Sequence, residues 1–297
     1  MDFQELTKQF CKKLYIPRRV EGHKGTFGKV LIIAGSEAYP GAGIMATNGA
    51  LRSGVGIVTL ALPETLKGAL PFTISPEIIL RYFPAKDGGF YLSKQQAVGF
   101  CSGYDAVLVG CGWGKSDSRL ECLKNISAAC ENVLVLDADA LNIIAEKKAY
   151  GILDNCKAKT IITPHVAEFM RLLHQSSLDL RIENRIELAK KFAKQHKTIL
   201  VQKSFCTVIT DSTDIYTLNK PNSGLAKGGS GDLLAGLIAG LAASKQCKKT
   251  IDAAALGVLL HSMAGEFAKN DYSENAMTIA DVANNIPKAW MTLLNTD

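Results

Sequence analysis

"KVLIIAGSEAYPGAGIMATNGALRSGVGIVTLALP" (residues 29–63) decides how this chain is read. Its first apolar run, "KVLIIAG" (29–35), and its last, "GIVTLALP" (56–63), are nearly all apolar rather than alternating. Such a run suits a strand buried on both faces, as in the interior of a parallel sheet. The segment between them opens on Gly41, Ala42 and Gly43 and reads as a helix. Strand, helix, strand is the unit from which a wound α/β sheet is built.

Outward from that unit the pattern repeats. "AVLVGCG" (106–112), "VLVLDA" (133–138), "TIITP" (160–164) and "TILVQK" (198–203) are further strands of the same kind. Amphipathic segments such as "SRLECLKNISAACE" (118–131) and "LRIENRIELAKKFAKQH" (180–196) lie between them. Near residue 206 the rhythm changes: "CTVITD" and "DIYTLN", separated by Ser212 and Thr213, read as a hairpin. After it only helices are expected, over 230–244, about 250–269 and about 278–289. No linker, low-complexity stretch or internal repeat divides the chain, so residues 1–297 are expected to form one domain.

Composition narrows the function. Hydrophobic residues at 47% and charged residues at 21% describe an ordinary globular protein with a large core. The net charge of +6 favours anionic ligands such as nucleotides, but it is too dispersed for a nucleic-acid surface. The densest basic stretch, "KQCKKT" (245–250), reads as a solvated loop. The start lacks the apolar core of a secretory signal. The longest apolar run, 233–243, has eleven residues where a membrane span needs about 20, so a soluble protein is expected. Eight scattered cysteines form no C-x-x-C pair and no zinc-finger spacing, which suits reduced thiols acting as small hydrophobes.

Ligands of an open parallel sheet bind outside the carboxyl ends of its strands. Five strand-end loops therefore matter most. At residues 41–43 two readings stay open: close approach of a flat ligand, or tight helix–sheet packing. "VGCGWG" (109–114) is either a turn or a ligand edge against backbone N–H groups. In "LDADALN" (136–142), Asp139 is expected to cap the next helix, while Asp137 is the better candidate for a polar ligand or metal-bound water. In "TPHVAEFMRLL" (163–173), Thr163 is expected as cap and Pro164 in the first turn, with His165 at the helix start as either a bystander or a site residue. In "VQKSFCTVITD" (201–211), Lys203 and Thr207 flank a short turn.

The strongest motif is "NSGLAKGGSGDLLAGLIAGLAA" (222–243). Gly228, Gly229 and Gly231 offer unobstructed N–H groups at a helix N-terminus, where the macrodipole favours an anion. Ala235, Gly236, Ala239 and Gly240 let that helix pack closely on its neighbours. Asp232 as a mere cap would not need three glycines before it, so a phosphate site with Asp232 as base is the preferred reading. Neither a P-loop nor G-x-G-x-x-G is present.

Taken in order, these motifs resemble those of the ADP/ATP-dependent NAD(P)H-hydrate dehydratases, members of the ribokinase-like superfamily. The resemblance covers roughly residues 22–290. It implies a ribokinase-like, doubly wound, mostly parallel α/β sheet with helices on both faces. It implies that ADP (or ATP), with Mg²⁺, phosphorylates the ring hydroxyl of hydrated NADH or NADPH (NADHX, NADPHX), after which elimination restores the reduced cofactor. ADP would give AMP and phosphate. Implied substrate contacts are Ala42, Gly112, His165 and Asp232, with Asp232 catalytic. Implied nucleotide contacts are Lys203, Ser204, Phe205, Cys206, Thr207, Gly228, Gly229, Ser230 and Gly231; metal ligands are left unassigned. A cytoplasmic homo-oligomer, a tetramer being one form, is also implied, working with a separate NAD(P)HX epimerase and with neither nucleic acid nor membrane as partner. The epimerase domain fused to some relatives is expected to be absent. Two positions depart from the family pattern: Ser204 replaces a glycine, and Lys227 stands where threonine is common, either tightening nucleotide binding or facing solvent. A ribokinase-like kinase for a small vitamin alcohol is the alternative, since it would use the same anion site and base; a non-catalytic nucleotide sensor is a weaker third.

Overall fold

Alternation along each strand assigns its side chains to two separate cores. The computed structural model describes residues 3–68, 74–179 and 181–296. Twelve strands occur among them: β1 (Gln4–Glu5), β2 (Lys29–Ile33), β3 (Ile57–Pro63), β4 (Ile79–Phe83), β5 (Ala85–Lys86), β6 (Gly89–Phe90), β7 (Ala106–Val109), β8 (Val133–Leu136), β9 (Lys159–Ile162), β10 (Thr198–Gln202), β11 (Cys206–Thr210) and β12 (Ile215–Asn219). The helices are α1 (Lys8–Leu14), α2 (Pro40–Leu51), α3 (Lys94–Cys101), α4 (Asp117–Ala129), α5 (Asp139–Glu146), α6 (Gly151–Asp154), α7 (Val166–Leu173), α8 (Ile182–His196), α9 (Ser230–Ala243), α10 (Thr250–Ala276) and α11 (Ile279–Leu294).

Ten strands form one sheet in the order β1-β12-β11-β10-β9-β8-β7-β2-β3-β4, and β5 and β6 pair as a small separate ribbon. Only β11 runs against the others, antiparallel to both β10 and β12. The chain steps outward from β2 through β3 to β4, then returns to β7 on the other side of β2. Connections therefore diverge between β2 and β7, which is where a doubly wound sheet opens a crevice. On one face Val30, Ile32, Leu108, Val135, Ile161 and Val201 pack with α2, α9, α10 and α11. On the other, Leu31, Ile33, Val109, Leu136, Ile162 and Leu200 pack with α3 to α8.

The sequence-predicted strands and hairpin are all present, while β1, β4 and the ribbon are additional. Helix ends differ: α10 continues to Ala276, and α11 covers Ile279–Leu294. Leu180, placed at the start of a predicted helix, lies outside the described residues, and α8 begins at Ile182. By length and apolar composition α10 is long enough to cross a membrane, but 78% of its most apolar window is buried inside the fold. It is a core helix. All eight cysteines are free thiols.

Helix α9 meets α2 backbone to backbone. A Cβ added to Gly236 would stand 1.8 Å from the carbonyl oxygen of Ala46, and one at Gly49 would stand 2.1 Å from that of Leu233. Only hydrogen fits at either position. Gly236→Ala should therefore cost about 1–3 kcal/mol or more by overpacking, lowering the midpoint of a thermal melt by several degrees. Gly41→Ala, where a Cβ would meet nothing within 4 Å, should change stability by no more than about 0.5 kcal/mol.

Candidate active site

The first turn of a helix has N–H groups with no intrahelical partner, and a serine or aspartate cap normally takes one of them. Helix α9 is capped instead by Gly229, at φ 93°, with no side-chain cap hydrogen bond. An L side chain is strained at that φ. The glycine thus leaves the N–H groups of Gly231 and Asp232 open to an anion, while that of Ser230 donates to the Lys227 carbonyl at 3.3 Å. Gly228 next to it borders open space. The loop before the helix is held by Lys227, whose ammonium donates to the carbonyl of Asn275 at 2.9 Å and to that of Met277. Lys227 therefore neither tightens an anion site nor waves in solvent; it ties this loop to the α10–α11 junction.

Three residues into α9, Asp232 stands opposite the ends of β7 and β8. Strand alternation aims Asp137, which follows β8, and Lys203, which follows β10, to the α9 face, since Val135 and Val201 already pack there. Carboxylate oxygens of Asp137 and Asp232 and the sulfur of Cys111 all lie within 4.8 Å of one another. The Lys203 ammonium donates to Asp137 Oδ1 at 2.7 Å. A Cβ at Gly231 would meet Lys203 Nζ at 3.1 Å, so the lysine head lies against the opening of α9.

Electrostatics follow from crowding carboxylates around one cation. Burial raises the Asp232 pKa to about 6, with repulsion from Asp137 adding to it. Burial and then Asp137 raise that of Glu168 to about 7. Burial opposes the charge on Lys203, but Asp137 and then Glu168 outweigh it, and the lysine pKa rises. The Cys111 thiol is pushed well above its usual range, chiefly by burial. It stays protonated.

His165 is itself the cap of α7, a role expected of Thr163. Its Nδ1 accepts from the N–H groups of Ala167 at 3.1 Å and Glu168 at 3.3 Å, while the Glu168 carboxylate accepts from the His165 N–H at 2.8 Å. Thr163 instead donates its hydroxyl to the Leu136 carbonyl at 3.5 Å. An accepting Nδ1 requires a neutral ring, and burial, followed by Lys203, lowers the histidine pKa accordingly. Lys203 continues the pairing of this loop, its N–H bonded to the Pro164 carbonyl at 2.9 Å. Asp139 also departs from expectation. It is the first residue of α5 rather than its cap, and its carboxylate accepts from the Gly114 N–H at 2.8 Å.

Two readings of residues 41–43 divide between neighbours. A Cβ on Gly43 would meet the Ala34 carbonyl oxygen at 3.1 Å, the packing reading, whereas Gly41 borders open space. Gly112 lies against Ala42 and Tyr39, where a Cβ would approach the Ala42 Cβ to 2.5 Å. Ala42 and Gly112 thus form one wall beside Cys111. Residues 204–207 close the β10–β11 turn on themselves: Ser204 donates to the Cys206 carbonyl at 2.8 Å, and Thr207 to that of Ser204 at 3.3 Å. Beneath them the buried Arg185 donates to Gln202 Oε1 at 3.0 Å and to the Cys206 carbonyl at 2.7 Å. Phe205 is exposed.

The structure therefore brings Asp232, Gly231, Lys203 and His165 together, with Ala42 and Gly112 forming an adjoining wall. Glu168, Cys111, Arg185 and the buried His261, 3.5 Å from the Ser230 hydroxyl, carry roles that sequence reading missed. Glu168 had a signal: it stands three residues after His165, the spacing of a capping box.

Residues 30–288 match a family model described as NAD(P)H-hydrate dehydratase. The chain is 33% identical, over 95% of its own length, to the bifunctional NAD(P)H-hydrate repair enzyme Nnr of Moorella thermoacetica, and covers 53% of that protein. It spans about half the length of such curated relatives. It is 30% identical to the ADP-dependent (S)-NAD(P)H-hydrate dehydratase of Bacillus subtilis, with 96% of each chain covered. Among solved structures it is similar to the ADP/ATP-dependent NAD(P)H-hydrate dehydratase of B. subtilis co-crystallized with ATP/Mg²⁺, at TM-score 0.81 and 26% identity over 99% of both chains. The sheet is ribokinase-like, as expected.

The raised Asp232 pKa carries a cost in stability. A carboxylate whose folded pKa lies above its unfolded value is neutral in both states at low pH and is penalised as pH rises through the folded value. The window runs from about 4 to about 6. Asp232→Asn should stabilise the fold at pH 8 by about 1–3 kcal/mol, and the gain should vanish below pH 4 when melts are compared across pH.

Proposed function

The chain belongs to the NAD(P)H-hydrate dehydratase family, and from that membership we propose that it restores hydrated NADH and NADPH at the expense of a nucleotide phosphate. One observation carries the reading: Asp232 opens a glycine-capped helix beside Lys203, which joins an anion site, a cation and a base in one place.

Phosphoryl transfer asks for positioning and charge stabilisation rather than covalent chemistry from the protein. The open N–H groups of the loop and first turn at 228–231 hold the transferring phosphoryl group, Ser230 excepted because its N–H donates to the Lys227 carbonyl, and Lys203 offsets its charge. The hydroxyl oxygen on the hydrated ring attacks phosphorus while the bond to the nucleotide's leaving phosphate oxygen breaks, and Asp232 takes the hydroxyl proton. Elimination then breaks the ring C–O bond. The ring nitrogen's electron pair expels phosphate, and the proton on the neighbouring ring carbon leaves with it. Ala42, Gly112 and neutral His165 face the hydrated nicotinamide. Lys203 and the turn of Ser204, Phe205, Cys206 and Thr207 face the nucleotide.

The donor set suits Mg²⁺. Asp137 offers hard oxygen ligands, the protonated Cys111 beside it does not compete, and Asp232 stays free as the base. When bound there, Mg²⁺ would offset charge on the nucleotide phosphates. ADP is the donor we favour, yielding AMP and phosphate, in keeping with the name of the B. subtilis relative. A cytoplasmic homo-oligomer, served by an epimerase that supplies the reactive epimer, belongs to the same proposal. The relatives named bifunctional are in keeping with such a companion.

The test incubates the protein with NADHX, Mg²⁺ and ADP or ATP and follows the returning dihydropyridine absorbance. Recovery with either nucleotide is expected, and a stable phosphorylated product without recovery would make the protein a kinase. Asp232→Asn should cut kcat by about 10²-fold or more while nucleotide affinity holds. In wild type, kcat/KM should rise as pH increases through the range of Asp232 and Glu168, about 6 to 7, and level off above it. His165→Asn keeps an acceptor for the α7 cap. It should raise KM for NADHX about tenfold with little change in Tm, and an effect confined to the nucleotide would remove His165 from the substrate side.

A further inference from the structure

A basic side chain is seldom buried completely unless a carboxylate accompanies it. Arg185, the fourth residue of α8, is 0% exposed and enters no ion pair among the described residues. Its partners are neutral. Nε donates to Gln202 Oε1 at 3.0 Å and Nη2 to the Cys206 carbonyl at 2.7 Å, while the guanidinium carbon stands 5.9 Å from the centre of the Phe205 ring. Burial opposes the charge and lowers the arginine pKa.

These partners stand on both arms of the β10–β11 turn. The ladder between the two strands runs from Leu200 opposite Thr210 to Gln202 opposite Val208, and ends there. Residues 203–207 lie beyond it, so pairing between β10 and β11 does not set their spacing. Arg185 supplies that link, with one prong on the last residue of β10 and the other on the first of β11. Gln202 shares the α8 face with Leu200, whereas Lys203 turns to the opposite face and reaches Asp137 at 2.7 Å. The arginine thus grips, from below, the strand end that presents Lys203 above.

The fold itself gains little from this arrangement. Arg185 Nη1 and Gln202 Nε2 are buried without a hydrogen-bond partner among the described residues. A buried charge and idle donors cost free energy that an apolar side chain of similar volume would avoid. Such a side chain could not bridge the turn, because that takes a rigid, planar fork of donors. Arg119 offers the comparison. It is 2% exposed, and it donates to the carbonyls of Trp113 at 3.2 Å, Lys86 at 2.7 Å and Asp87 at 3.3 Å. The same kind of buried cation there ties the 110–114 loop to the β5–β6 ribbon.

We propose that Arg185 is a positioning residue for the nucleotide: its hold on Gln202 and Cys206 sets the spacing of turn 203–207, on the reading given above that this turn faces the phosphate donor. Arg185 touches no ligand. It acts through Lys203 and through the backbone of residues 204–206.

Isothermal titration of the full chain with ADP and Mg²⁺, beside steady-state turnover of NADHX, tests this. Arg185→Met should weaken ADP binding by about tenfold or more and raise KM for ADP in step, while KM for NADHX stays as in wild type. Arg185→Lys keeps the charge and loses the fork. It should bind ADP more weakly than wild type and better than Arg185→Met, and it carries the test if the methionine variant fails to fold. Arg119→Met, the loss of the other buried cation, should lower Tm and leave ADP affinity unchanged. Wild-type ADP affinity in both Arg185 variants would overturn the proposal, as would a loss no larger than that in Arg119→Met. ADP binding that depends on Arg185 in a chain unable to restore NADHX would sink the proposed reaction and uphold the role of Arg185. No ADP binding by the wild type would overturn both.

Discussion

Helix α9 lies on α2 with carbonyl oxygens where side chains would normally stand. Gly49, Gly236 and Gly240 permit that approach: a Cβ at Gly49 or Gly236 would fall within 2.1 Å of a carbonyl oxygen of the facing helix, and one at Gly240 would stand 2.2 Å from Ser53 Oγ just past the end of α2. Contact this close fixes α9 along its axis as well as across it. The position of its first turn, and so of its open N–H groups and Asp232, is set by the core of the protein. The apolar character of the helix beyond Asp232 has the same origin: residues 233–241 are all buried between α2, α10 and the sheet.

Onto that rigid frame the strands deliver charge. One lysine faces Asp137, Glu168 and Asp232 in a largely buried space, and the resulting shifts leave Glu168 and Asp232 near their titration points around neutral pH. A group poised in this way can accept a proton at little cost, which is what a base for a hydroxyl requires. His165 is held neutral by the same surroundings, because its Nδ1 is committed to the start of α7 and Lys203 discourages a second positive charge. The loops of β8, β9 and β10, brought side by side under the start of α9, thus set three protonation states at once.

Much of this was legible in the chain. Doubly apolar strands and their intervening helices announced the sheet, and "GGSGD" announced a helix start capped by glycine rather than by a side chain. What escaped were features settled by partners distant in sequence. Short β1 owes its existence to β12, and β4 to β3, not to a strong run of its own. Asp139 and Thr163 looked like caps, as such residues often do, but β7's loop claimed Asp139 through Gly114, and His165 displaced Thr163 because Glu168 completes its box. Lys227 invited an electrostatic role, and its real partners are carbonyls near residue 276, in an element read as ending earlier. Arg185 gave no sign in its amphipathic helix that it would be fully buried beneath the β10–β11 turn.

The reversed direction of β11 has an evolutionary consequence. A parallel step must be bridged by a crossover, usually a helix, whose packing against the sheet resists changes in length. The step from β10 to β11 is a bare turn that satisfies its own hydrogen bonds through Ser204 and Thr207. Its tie to α8 runs through one side chain, Arg185 at the Cys206 carbonyl, so its exposed residues can be exchanged without shifting a helix axis. Beside a helix start locked into the core, the chain thus keeps one edge free to drift, and the surroundings of Lys203 can change there while the fold stays as it is.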